Sequence, residues 1–301
     1  MLTSVLAHAG QPPAPHDLWG AWNLDPLLLL GLVLAVWAYR RGRGDPRRGT
    51  YFVAGVTAIG VALISPLDAM AGGLASAHMV QHILLVLVAA PLLALSAPAG
   101  ALMRGSPRIV RQAGGRWRRR LKLDRRHLRF LREPVTVSVL HLAALWFWHA
   151  SGPYDAALRS HPLHVLEHAS FLVTGVLFWR LVLGGRAAGR VSNGLGVLLV
   201  FGMALQSVIL AMLLTFARAP WYSGYATTTR LWHLEPLADQ QLAGVIMWVP
   251  ASVVYVGVAL ALFVAWLNGS DGAPVTTARR LAPMPSTSER GVPADAVGRE
   301  P

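Results

Sequence analysis

Ala77-His78-Met79-Val80-Gln81-His82, continued by ILLVLVAAPLLALS to Ser96, is a run of twenty residues whose only ionisable side chains are two imidazoles. Its length and apolarity match the roughly 20 residues a helix needs to cross the hydrocarbon core of a bilayer. No water in that core can satisfy backbone amides, so a spanning segment must be a helix or part of a closed barrel. Barrel strands alternate apolar and polar residues, and this run does not. The stretch therefore predicts an all-α membrane protein.

The rest of the chain agrees. Of 301 residues, 54% are hydrophobic and 14% charged, and the mean hydropathy is +0.47; soluble domains carry about 25% charged residues. Further apolar segments lie at about 24–39, 51–66, 134–150, 163–183, 194–216 and 239–267, giving seven predicted transmembrane helices with 77–96. The first two are short, which fits a thin local bilayer or helix ends capped by loops. The predicted division is an outer N-terminal segment over 1–23, a seven-helix domain over 24–267, and a disordered tail over 268–301 rich in Pro, Ser, Thr and Ala. Met1 to Gly20 lacks a basic region before its short apolar stretch, so a cleaved signal is expected only if the start lies upstream.

Charge sets the orientation. The 40–49 loop has Arg40, Arg41, Arg43, Arg47 and Arg48, and the 97–133 loop has twelve basic residues from Arg104 to Arg132. The connection after the fifth segment has Arg180, Arg186 and Arg190, and the tail has Arg279, Arg280, Arg290 and Arg299. Only Arg159, Arg218 and Arg230 fall on the other side, so 24 of 27 basic residues share one face. The positive-inside rule makes that face cytoplasmic, with the N-terminus outside and the C-terminus inside. The net charge of +13 is then a topology signal, and the Arg116–Arg132 stretch reads as a polybasic segment touching anionic lipid, with no nucleic-acid partner.

With topology fixed, the histidines acquire a depth. His8, His16, His78, His82, His149, His161, His164, His168 and His233 face the outer compartment or its boundary, His141 lies within the fourth segment, and His127 is cytoplasmic. Two groups repeat a pattern: His78-Met79-Val80-Gln81-His82 and His164-Val165-Leu166-Glu167-His168, each His-x-x-(Gln/Glu)-His at the outer start of a helix. Residues four apart share a helix face, so each pair offers two imidazoles to one site. Asp239-Gln240-Gln241 opens the seventh segment at the same level, with Asp239 a further ligand or a partner that orients an imidazole, and Gln81, Glu167, Gln240 and His141 are expected as orienting partners.

An ionisable group inside a spanning segment costs about 2.5 kcal/mol or more, so these residues are expected to be paired or functional. Metal or cofactor ligation by His78, His82, His164 and His168 is one reading, and a structural hydrogen-bond network among them with Gln81, Glu167 and Asp239 is the other. Zero cysteines exclude disulfides, thiolate sites, iron–sulfur clusters and cysteine nucleophiles. Imidazole suits copper, zinc, iron and nickel, and thioethers favour Cu(I). By helical spacing, however, Met79 points away from the His78–His82 face. His164-x-x-Glu167-His168 also matches the inverted zinc-peptidase motif, although the parallel Gln81 cannot act as a base. Pro91 and Pro250 each remove a helical hydrogen bond, freeing the carbonyls of Leu87 and Ile246. Trp146, Trp148, Trp221, Tyr222 and Trp232 read as interfacial belt residues.

The two histidine motifs, the Ala90-Pro91-Leu92 step, and Ala238-Asp239-Gln240-Gln241-Leu242-Ala243-Gly244-Val245-Ile246-Met247-Trp248 stand in an order that resembles the caa3-type CtaG family of cytochrome c oxidase assembly factors. The resemblance covers roughly residues 20–267. It implies a non-enzymatic, multi-pass protein of the bacterial plasma membrane that helps assemble a haem–copper oxidase and supplies copper to its subunits. The metal-associated positions it implies are His78, His82, His164, His168 and Asp239. Competing readings are a bis-imidazole haem protein, a membrane zinc metallopeptidase, and a metal-free scaffold.

Overall fold

The computed structural model describes residues 15–120, 130–184 and 190–269. Among them the regular elements are helices. Seven carry the architecture: α1 (Pro26–Arg41), α2 (Pro46–Ile64), α3 (Ala75–Ser96), α4 (Pro134–His149), α5 (His161–Leu183), α6 (Asn193–Thr215) and α7 (Pro236–Leu267). Shorter helices at Pro66–Ala71, Ala99–Gly105, Arg108–Arg120 and Ser151–Arg159 join them. His8, His127 and the tail beyond residue 269 lie outside the described residues.

The chain starts its helices with local chemistry. Proline occupies the first turn of α1, α2, α4, α5 and α7, where a missing amide hydrogen costs nothing. Asp25 caps α1 by accepting from the amides of Leu27 and Leu28 at 2.7 and 3.1 Å, and Asp45 caps α2 through Arg47 at 2.9 Å. A helix thus forms at each of the seven apolar stretches. Four of them, α3, α5, α6 and α7, are long and apolar enough to cross a membrane. The others are α1 and α4, of 16 residues each, and α2, whose 19 residues begin Pro46-Arg47-Arg48; sixteen residues rise only about 24 Å.

Helix α3 is central, packing against α2, α5 and α7, while α6 and α7 form a close pair. Phe171, Phe178 and Trp179 of α5, Leu145 of α4 and Tyr255 of α7 fill one core. Leu27, Leu198, Phe201 and Val253 stand exposed on the outside, an apolar coat suited to lipid rather than water. Two expected belt residues are instead interior: Trp148 donates to the Ser170 hydroxyl at 2.8 Å, and Tyr222 is buried against Tyr154 at 3.8 Å between ring centroids.

Pro91 acts differently from the expectation of a freed Leu87 carbonyl. Leu84–Ala89 winds as a π-helical turn, with the Ala90 amide bonded to the Leu85 carbonyl five residues back. In that register the residue-91 amide would reach Val86, so the proline orphans Val86 rather than Leu87. The Trp179 indole N–H of α5 donates to that carbonyl at 2.8 Å. This bond ties α5 to α3 below the histidine motifs. Helix α7 continues through Pro250 as a single helix of 32 residues.

Candidate metal centre

Asp239, the predicted ligand on α7, fixes where α3 begins. Its carboxylate accepts from the Ala75 amide at 2.6 Å, the Ser76 amide at 3.2 Å and the Ser76 hydroxyl at 2.5 Å. It is a helix cap supplied from another helix, placed where an anion meets the positive end of the α3 dipole. One turn further, His78 and then His82 project from α3 toward α5.

Helix α5 presents Glu167 and His168 to that pair. Donor atoms of His78, His82, Glu167 and His168 all lie within 4.8 Å of one another, and all four side chains are buried. Glu167 stands between the α3 imidazoles, its Oε2 3.7 Å from His78 Nε2 and its Oε1 3.5 Å from His82 Nε2. The His168 ring sits 5.6 Å from His78 and 5.4 Å from His82 between centroids. Glu167, read from sequence as an orienting partner, is therefore in the middle of the cluster.

The hydrogen bonds around the cluster set its chemistry. Tyr225 lies outside α1 to α7, and burial pushes its hydroxyl well above the ordinary tyrosine range, so it keeps its proton. It donates that proton to the Ala71 carbonyl at 2.9 Å, and can only accept from His78 Nδ1 at 3.0 Å. That puts the His78 hydrogen on Nδ1 and a lone pair on Nε2, facing Glu167. His149, at the end of α4, shows the same arrangement, with Nδ1 on the Leu145 carbonyl at 2.7 Å.

Inside the cluster these groups do not satisfy one another. His78 Nε2, both ring nitrogens of His82, His168 Nε2 and both oxygens of Glu167 are buried without a hydrogen-bond partner among the described residues. A structural network would join them by hydrogen bonds, and their separations exceed hydrogen-bond length. Burying Glu167 and several imidazole nitrogens together without hydrogen bonds is costly unless a cation shares the space. Donors at about 2 Å from one ion lie at most about 4 Å apart, so small side-chain rotations close the set. The donor set suits a copper or zinc ion.

The remaining predicted residues are distributed around this centre. His164 lies at its edge, 5.1 Å from His78 and 4.3 Å from His168 between ring centroids, its Nε2 without a partner among the described residues. Asp239 is outside it, as the α3 cap. Gln81 turns away, donating to the Ala62 carbonyl at 2.7 Å and Asp68 at 2.9 Å. Gln240 accepts from the Trp221 amide at 2.6 Å. His141 lies deeper, its Nδ1 2.9 Å from the Thr174 hydroxyl. Sequence reading left His149 and Tyr225 unassigned: the first belongs to no repeated motif, and the second comes from a connection without periodicity.

No solved structure matches this chain. Proteins of Mycobacterium bovis and Mycobacterium tuberculosis, both named only as uncharacterized, are each 28% identical over 280 residues, covering 85% of this chain and 41% of theirs. An uncharacterized protein of Mycobacterium leprae is 22% identical over the same length. The chain thus spans well under half the length of the curated relatives it matches. A family profile described as cytochrome c oxidase caa3 assembly factor matches residues 31–269, taking in α3, α5 and α7 with every residue of the cluster. This chain belongs to the caa3-type CtaG family of cytochrome c oxidase assembly factors.

Proposed function

We propose that this protein binds copper at His78, His82, Glu167 and His168, with His164 at the edge, and passes it to a subunit of a haem–copper oxidase without catalysing a reaction itself. The observation that carries the reading is the convergence of unpaired buried donors from α3 and α5 on one point. Family membership supplies the oxidase context. Copper is cargo in this account, and its ligands bear on release: imidazoles and one carboxylate hold it without the thiolates that would retain Cu(I). Tyr225 fixes the tautomer that keeps His78 Nε2 available.

The proposed setting is the bacterial plasma membrane, with α1 to α7 all spanning, the N-terminus outside and the C-terminus cytoplasmic. In support, Arg40 and Arg41 end α1 and Arg104 Nε donates to the Gly42 carbonyl at 3.1 Å. That basic end lies at the far end of α3 from His78. The arginine-rich loops would then meet anionic headgroups, and the cluster would face the compartment from which oxidase copper is loaded.

The haem and peptidase readings have less support. Rings packed 4.3 to 5.6 Å apart leave no slot for a macrocycle, which needs a pocket of several hundred Å³. Both Glu167 oxygens face imidazoles, whereas a peptidase base addresses water. The test is complementation. In cells lacking the protein, the chain with His78→Ala and His168→Ala should leave oxidase copper content and assembly at the level of the deletion, while wild type restores both. Full restoration by the double variant would sink the copper-donor account.

A further inference from the structure

Beside the cluster lies a second constellation that neither histidine motif describes. A cavity of about 30 Å³ is lined by His82, His149, Met79, Met247, Ser207 and Tyr255, from α3, α4, α6 and α7, together with aliphatic side chains. A space of that size holds about one water molecule or one ion. His149 is 1% exposed and His82 3%, and their rings are 5.6 Å apart between centroids. The Nδ1 hydrogen of His149 is committed to Leu145, leaving an Nε2 lone pair with no partner among the described residues, where His82 likewise has none at either nitrogen. Met79, three residues before His82 on α3, lines this cavity beside it.

The donors differ in kind from those of the cluster. Glu167 gives the cluster a negative charge that offsets part of a divalent ion's desolvation cost. The cavity offers two neutral imidazoles and two thioethers among apolar walls. Burying a divalent ion there would be expensive, whereas a monovalent soft ion loses less hydration and matches thioether ligands. We infer that His82, His149, Met79 and Met247 form a second metal position, selective for monovalent copper, adjoining the first through the shared His82. This rests on the copper reading above and adds a step: an ion arriving as Cu(I) has a neutral soft site next to the anionic one, with His82 able to face either.

The test uses full-length protein in detergent, loaded separately with Cu(I) under reducing conditions and with Cu(II), and read by bound-metal stoichiometry and X-ray absorption. The variants are Met79→Leu with Met247→Leu, which conserve volume, and His149→Gln. The expected result is sulfur scattering in the Cu(I)-loaded wild type, lost in the methionine variant with at least a tenfold drop in Cu(I) affinity. His149→Gln should weaken Cu(I) to a similar degree. Both variants should keep Cu(II) binding within twofold of wild type, which also reports that they fold. Cu(I) with only nitrogen and oxygen neighbours, unaffected by either variant, would overturn the second position and leave the cluster reading intact. Wild type that binds copper in neither state would overturn the cluster reading as well.

Discussion

The Tyr225 hydroxyl accepts from His78 Nδ1 at 3.0 Å while donating to the Ala71 carbonyl at 2.9 Å. One phenol in a loop thereby decides which nitrogen of a helix-borne imidazole carries the proton, and hands the other nitrogen to the cluster. Tyr154 adds to the arrangement, its hydroxyl 3.3 Å from that of Tyr225.

Tyr225→Phe removes that acceptor and conserves the ring. Loss of a group that orients a metal ligand typically costs 10- to 100-fold in metal affinity. The variant should therefore keep copper stoichiometry in saturating metal and lose about that much affinity in competition with a chelator. Unchanged affinity would show that the His78 tautomer does not depend on Tyr225.

Asp239→Ala separates a cap from a ligand. The three hydrogen bonds to the start of α3 predict a lowered thermal midpoint in detergent, equivalent to about 1–3 kcal/mol for the buried amides left unpaired. Copper stoichiometry should stay at the wild-type value. If copper is lost while the midpoint holds, Asp239 is a ligand and the cap is incidental.

Trp179→Phe tests the account of Pro91. It keeps an aromatic ring in the core and strips the Val86 carbonyl of its donor, which should cost about 1–3 kcal/mol. The loss should show as earlier unfolding of α3 and α5 in hydrogen exchange.

Gly244→Ala probes the α6–α7 contact. A Cβ there would stand 2.8 Å from both the Ala211 carbonyl oxygen and the Thr215 amide nitrogen, backbone atoms that cannot swing aside. Small residues allow this kind of close helix approach in membranes, and overpacking it should destabilise the protein by about 1–3 kcal/mol. Thermal unfolding at the wild-type midpoint would contradict the packing.

Much of this was legible from local pattern. The apolar runs and their prolines locate the helices, and the paired His-x-x-(Gln/Glu)-His motifs locate two turns that meet. What spacing cannot encode is helix rotation relative to a neighbour. Gln81 and Glu167 occupy equivalent motif positions, yet Gln81 turns to the Ala62 carbonyl and Glu167 into the cluster. Asp239 was readable as a buried acid at the right level, but its service to the α3 amides depends on how α7 crosses α3. The π turn moved the orphaned carbonyl by one residue, a register change that a four-residue helical rule misses. His149 and Met247 reach His82 only through the packing of α4 and α7 on α3.

The most direct test is metal analysis of detergent-purified protein with an absorption spectrum, comparing wild type with a variant carrying His78→Ala, His82→Ala, Glu167→Gln and His168→Ala. Copper bound by wild type and absent from a folded variant, with no haem absorption in either, is the predicted result. Equal copper in both proteins, or none in wild type after loading in either oxidation state, would contradict it.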